Sequence, residues 1–80
     1  MKITVRARVS IHEDSTVVRY SSTAHGLQVA VLDLVCTGPE EAGVALVTVL
    51  QERGDNLTEK SLVLVSARDS DYHFTTTVEK

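Results

Sequence analysis

Residues 22–53 read STAHGLQVAVLDLVCTGPEEAGVALVTVLQER, and how this stretch folds decides the fold of the whole chain. It holds two apolar runs, Leu27–Cys36 and Val44–Leu50, separated by a polar joint that contains Pro39. The second run carries the punctuation of a helix. Thr37 is placed to cap it and Glu40, three residues on, to reach back. Proline suits a first turn, and Glu40 and Glu41 suit the positive end of a helix dipole. Arg53 followed by Gly54 is a common way for a helix to stop. On a 3.6-residue period Ala42, Ala45, Leu46, Val49 and Leu50 form one stripe, with Glu41, Thr48 and Glu52 on the polar side.

The first run is read as a helix too. Ser22 or Thr23 would cap it, and Leu27, Ala30, Val31, Leu34 and Val35 would share one face. Val29, Leu32 and Cys36 then fall on its other side, so this helix needs cover all round. A rival reading makes Gln28–Cys36 and Val44–Gln51 two buried strands, because periodicity alone does not separate short valine-rich strands from buried helix.

Working outward, Ile3, Val5, Ala7, Val9 and Ile11 alternate with Lys2, Thr4, Arg6, Arg8 and Ser10, the mark of a strand with one core face and one wet face. His12-Glu13-Asp14-Ser15 suits a turn, and Thr16–Ser21 a returning strand. A tip at Glu13-Asp14 pairs Ile11 with Thr16, Val9 with Val18 and Ala7 with Tyr20. It also sets Arg8 opposite Arg19, a like-charge pair that folding alone does not favour. Beyond the helices, Ser61–Arg68 and Tyr72–Lys80 read as a second hairpin around Asp69-Ser70-Asp71. The expected fold is therefore α+β, a four-stranded antiparallel sheet with two helices on one face in the order ββααββ. The first strand sits beside either the last or the third. The alternative is an all-β six-stranded meander.

Composition sets the bounds. The 80 residues are expected to form one domain, residues 1–80, and 42% hydrophobic with 24% charged residues is a folded composition rather than a disordered one. The one cysteine, Cys36, makes no internal disulfide and lies in an apolar run, which suggests a core thiol in a reducing compartment. The opening MKITVRARV lacks the apolar centre of a signal peptide, and no apolar run nears the ~20 residues of a membrane span. A cytoplasmic protein is expected.

Motifs for chemistry are sparse. His12-Glu13-Asp14 has no metal-ligand spacing around it, and His25 and His73 lie far off in sequence, so a solvated turn is the simpler reading. Cys36 lacks the electropositive setting of a nucleophile. There is no G-x-S-x-G elbow, and the scattered glycines spell neither a P-loop nor a dinucleotide fingerprint. Asp69 and Asp71 lack the further oxygen ligands of a calcium loop. Asn56-Leu57-Thr58 matches a glycosylation sequon, read as coincidence without a secretion signal. No enzyme activity, cofactor or metal is expected.

What stands out is the wet side of the first hairpin, where Lys2, Arg6, Arg8 and Arg19 gather, with Arg68 a further candidate. Acids concentrate elsewhere, at Asp33, Glu40, Glu41, Glu52, Asp55 and Glu59, and the net charge is −3. The expected function is a non-enzymatic protein–protein interaction module that binds an acidic partner through Lys2, Arg6, Arg8 and Arg19 or pairs as a homodimer. Its size resembles that of small accessory and inhibitor proteins of bacteria and their phages. The homodimer follows from apolar surplus at Val29, Leu32, Cys36, Val44, Val47 and one face of Leu62–Val65. The alternative is a nucleic-acid-binding regulator using the same basic strands, weakened by the acidic balance and the absence of tryptophan. An enzyme subunit with a site completed at a dimer interface is a third class.

Overall fold

A computed structural model describes residues 2–22, 26–55 and 61–79. Thr23, His25, Glu59 and the sequon Asn56–Thr58, all weighed above, lie outside them. The elements run β1 (Lys2–Ile11), β2 (Thr16–Ser22), β3 (Gly26–Leu32), α1 (Pro39–Glu52), β4 (Val63–Arg68) and β5 (Asp71–Glu79). The strands form one antiparallel sheet ordered β3-β2-β1-β5-β4. β1 sits beside the last strand, and the chain crosses from one edge of the sheet to the other through α1.

This corrects the expected architecture: among the described residues the sheet has five strands rather than four, and one helix rather than two packs on it. The six-stranded meander fails as well, because Pro39–Glu52 is helical. The error lies in Leu27–Cys36. Its first half is strand β3, paired with β2 from Leu27↔Ser21 to Leu32↔Thr16. Gly26, its first residue, takes the left-handed backbone conformation at φ 68° that glycine adopts without strain. Alternate residues Val29 and Val31 are β-branched, which suits a pleated strand and costs rotamer freedom in a helix. The second half leaves the sheet as a loop. The Thr16 hydroxyl holds that loop, donating to the Leu34 carbonyl at 2.7 Å and lying 3.6 Å from Cys36 Sγ. Cys36 is buried as expected, though in a loop and not in a helix.

The second run is the helix its punctuation implied, with different atoms at the cap. Gly38 is the N-cap, with no side-chain cap bond, and Glu41 rather than Glu40 reaches back, accepting from the Thr37 N–H at 2.8 Å. At the other end Gly54 (φ 86°) donates to the Gln51 carbonyl, and Asp55 N–H donates to the Leu50 carbonyl at 3.0 Å. These two bonds make a Schellman motif that satisfies the last carbonyls. All five stripe residues are buried, and Gly43 and Val47 join them. Gly43 lets the helix sit close: a Cβ there would lie 2.9 Å from Leu62 Cδ2.

The core lies between α1 and one sheet face. It joins Val5, Ala7 and Val9 of β1, Val18 and Tyr20 of β2, and Phe74 and Val78 of β5 to Leu46, Val49 and Leu50. The pairing of β1 with β2 has Ile11↔Thr16, Val9↔Val18 and Ala7↔Tyr20, the register the alternation implied. The apolar surplus is placed differently from expectation. Val47 and Cys36 are buried and Leu32 packs on the core, whereas Leu27, Val29, Val31, Leu34, Val35, Val44, Val63, Leu64 and Val65 are exposed.

Candidate functional site: the open face of the sheet

Side chains alternate across a strand, so burying Ile3, Val5, Ala7 and Val9 under the helix turns Lys2, Thr4, Arg6 and Arg8 to the opposite face. No helix covers that face among the described residues. Lys2, Arg6, Arg8 and Arg19 are all exposed on it. Registers fix their neighbours. Arg8 lies between Arg19 on β2 and His73 on β5, and beyond Arg19 comes Val29 on β3. Side chains directly opposite in such a ladder have Cβ atoms about 5 Å apart. Arg6 lies between Ser21 and Thr75, and Lys2 pairs with Glu79 at the far end of β1. Arg68 reaches the same face at the end of β4, opposite Asp71.

Asp71 interrupts this field. Arg8 Nη2 donates to Asp71 Oδ2 at 2.9 Å, between side chains that are 46% and 35% exposed. That bond holds the Asp71 carboxyl below its ordinary pKa, helped by Ser10 and by the charges of Arg8 and His73, against a smaller opposing effect of desolvation. An exposed pair of this kind adds little to stability. Among the described residues Arg6 and Arg19 have no acidic partner. A shallow depression of about 330 Å³ opens over this part of the face, lined in part by Arg8, Arg19, His12 and Asp71.

Two further features of the face come from elements that sequence reasoning placed wrongly or passed over. The outer row of β3, Leu27, Val29 and Val31, is 69%, 47% and 66% exposed and runs alongside the basic column. Its signal was present as a two-residue alternation with Gln28, Ala30 and Leu32, masked by apolar residues in both sets. His73, whose residue type suggests only a metal ligand in the sequence, stands beside Arg8 on this face.

The remaining candidates do not converge. His12 stands in the exposed β1–β2 turn and His73 on the sheet, and no cluster of three metal-ligating side chains occurs among the described residues. Asp69 is the positive-φ residue of the β4–β5 turn, at 53°, which accounts for it as a turn former. Tyr20 and Phe74 are buried toward the helix and Tyr72 packs against the same core, so no phenylalanine or tyrosine ring stands on the open face. No helix among the described residues is long and apolar enough to cross a membrane. No protein-family model, curated protein or solved structure matches this chain.

Proposed function

We propose that this chain is a non-enzymatic protein-binding module that docks an acidic partner protein on the open face of its sheet. The observation that carries the reading is the row Val29–Arg19–Arg8–His73, set side by side across four strands with no described helix above it. Two adjacent arginines gain nothing from each other in the folded chain, and a carboxylate-bearing surface would relieve their repulsion. The apolar row of β3 beside them provides the contact area that charges alone do not. A buried single thiol suits a reducing setting such as the cytoplasm.

Binding of nucleic acid by the same face is the weaker reading. A backbone binder usually carries a basic balance, and a single-strand binder presents aromatic rings for stacking. This chain has a net charge of −3, and its three aromatic residues lie on the helix side of the sheet. The test is a direct comparison of two polyanions, poly-L-glutamate and a single-stranded oligonucleotide of similar charge, across a salt series. The proposal expects tighter binding to polyglutamate, weakening as salt rises. Preference for the oligonucleotide would replace it with the nucleic-acid reading, and no binding to either at low salt would remove both.

A further inference from the structure

Residues 20–52 contain Asp33, Glu40, Glu41 and Glu52 and neither lysine nor arginine. Within this acidic stretch the fold makes a groove. β3 ends at Leu32, the Thr16 hydroxyl holds the departing chain at Leu34, and a space of about 410 Å³ is left between that loop and the side of α1. Its apolar lining is Leu32, Leu34, Val44 and Ala45, with Leu34 still 47% and Val44 51% exposed. Glu41, Thr48 and Glu52 line the same groove from the helix. With Ala45 they follow one another three or four residues apart, along one edge of α1. The two carboxylates therefore stand three turns apart, about 16 Å along the axis.

Folding accounts for one of these acids and not the other. Glu41 accepts from the Thr37 N–H at 2.8 Å near the positive end of the helix. Glu52 is the last helical residue, where a carboxylate opposes the dipole. The neighbouring Arg53 gives it no relief, because its guanidinium donates to Gln28 Oε1 at 2.8 Å and to the Val29 carbonyl at 3.3 Å, beside the Tyr20 ring. No described cation pairs with Glu41 or Glu52.

We propose that this groove takes a basic amphipathic helix of a partner protein, with aliphatic side chains against Leu34 and Val44 and cations on Glu41 and Glu52. Charge complementarity selects that chemistry. The apolar lining calls for aliphatic side chains, and acids at both ends of the helix edge call for a cation at each end. An acidic protein, a nucleic acid or an anionic lipid surface would meet like charge there. One wall is a helix whose backbone groups are already bonded, so an extended segment finds no ladder to join along it. A helical segment pairs its own backbone and offers one apolar stripe to such a groove.

The groove lies on the helix side of the sheet, so this proposal stands or falls apart from what binds the open face. It is tested by NMR titration of the full chain with an amphipathic leucine–lysine peptide of about 15 residues, long enough to carry cations three turns apart. A scrambled peptide of the same composition and a leucine–glutamate version serve as comparisons. The expected result is binding tighter than about 1 mM, with amide shifts concentrated at residues 32–35 and 41–52. The scrambled and glutamate peptides should bind at least about tenfold more weakly, as should Glu52→Lys and Val44→Lys toward the leucine–lysine peptide. Glu52→Lys should melt no lower than wild type, because it removes a carboxylate from the negative end of the helix. Val44→Lys guards against that variant failing to fold. No binding of the leucine–lysine peptide overturns the proposal, as do shifts centred elsewhere or an affinity that folded Glu52→Lys and Val44→Lys leave unchanged. Equal binding of the glutamate or scrambled peptide also overturns it. Self-association of the free chain that Glu52→Lys abolishes would make a second copy the occupant and overturn it too.

Discussion

The two faces of the sheet are made by the same strands and obey different rules. On the helix side Val5, Val9, Val18 and Val78 are at most 2% exposed, and Leu46 and Leu50 press on them. On the other side Arg6, Arg8 and Arg19 share one surface with Leu27, Val29 and Val31, and nothing described lies over them. One face is accounted for by folding. The other tolerates like charges in register and exposed aliphatics, which burial does not explain. Mutations on the first face should cost stability, and those on the second should leave stability nearly alone while altering binding.

The largest effect should come from the buried side. Leu46→Ala should destabilise by roughly 2–5 kcal/mol, the usual range for a fully buried leucine, measured by urea unfolding. Leu34→Ala is the contrast. The sequence reading gave both leucines core positions, but Leu34 is 47% exposed, and its loss should cost less than about 1 kcal/mol. Equal costs would mean that the loop after β3 packs inward. Next comes Thr16→Val. Thr16 is fully buried and its hydroxyl ties down Leu34, so the change should cost about 1–2 kcal/mol. It should also quicken the reaction of Cys36 with a thiol reagent as the loop loosens. Unchanged Cys36 reactivity would show that the hydroxyl does not hold the loop.

On the open face the effects shrink. Arg19→Thr removes one member of the arginine pair and should shift stability by no more than about 0.5 kcal/mol, with a gain the expected sign. A clear loss would mean that Arg19 has an acidic partner. The smallest effect concerns Asp71. Its folded-state pKa is depressed, chiefly by the bond from Arg8, so its stabilising contribution is present at neutral pH. That contribution fades only as pH falls below the ordinary aspartate value, about 4, through the lower folded one. An NMR titration should find the Asp71 pKa below that ordinary value, and rising toward it in Arg8→Thr. No rise would assign the shift to Ser10 instead.

Much of this contrast was legible in the residues. β1 alternates cleanly because one face is core and one is water, so both its burial and its register with β2, including Arg8 opposite Arg19, follow from the pattern. The helix was legible because Pro39, the paired glutamates and Gly54 mark its ends independently of its apolar content. Leu27–Cys36 had no such marks. Its open-face residues are as apolar as its core-face residues, so alternation was hidden and a helix looked possible. What decides it is long-range pairing with β2 and a hydroxyl at Thr16, neither of which local sequence displays. The basic column was readable from β1 and the returning strand. The aliphatic row beside it became visible only once β3 was a strand.

The most direct test of the open face as a docking surface is charge reversal that spares the Arg8–Asp71 pair. Arg6→Glu with Arg19→Glu removes two cations that have no described acidic partner, and places a glutamate opposite Arg8. The double variant and the wild type would be compared in urea unfolding and in binding to poly-L-glutamate at low salt. The account predicts stability within about 1 kcal/mol of wild type and a loss of most or all of the binding, on the order of tenfold or more. Polyglutamate binding that persists at wild-type strength in a folded double variant would contradict it.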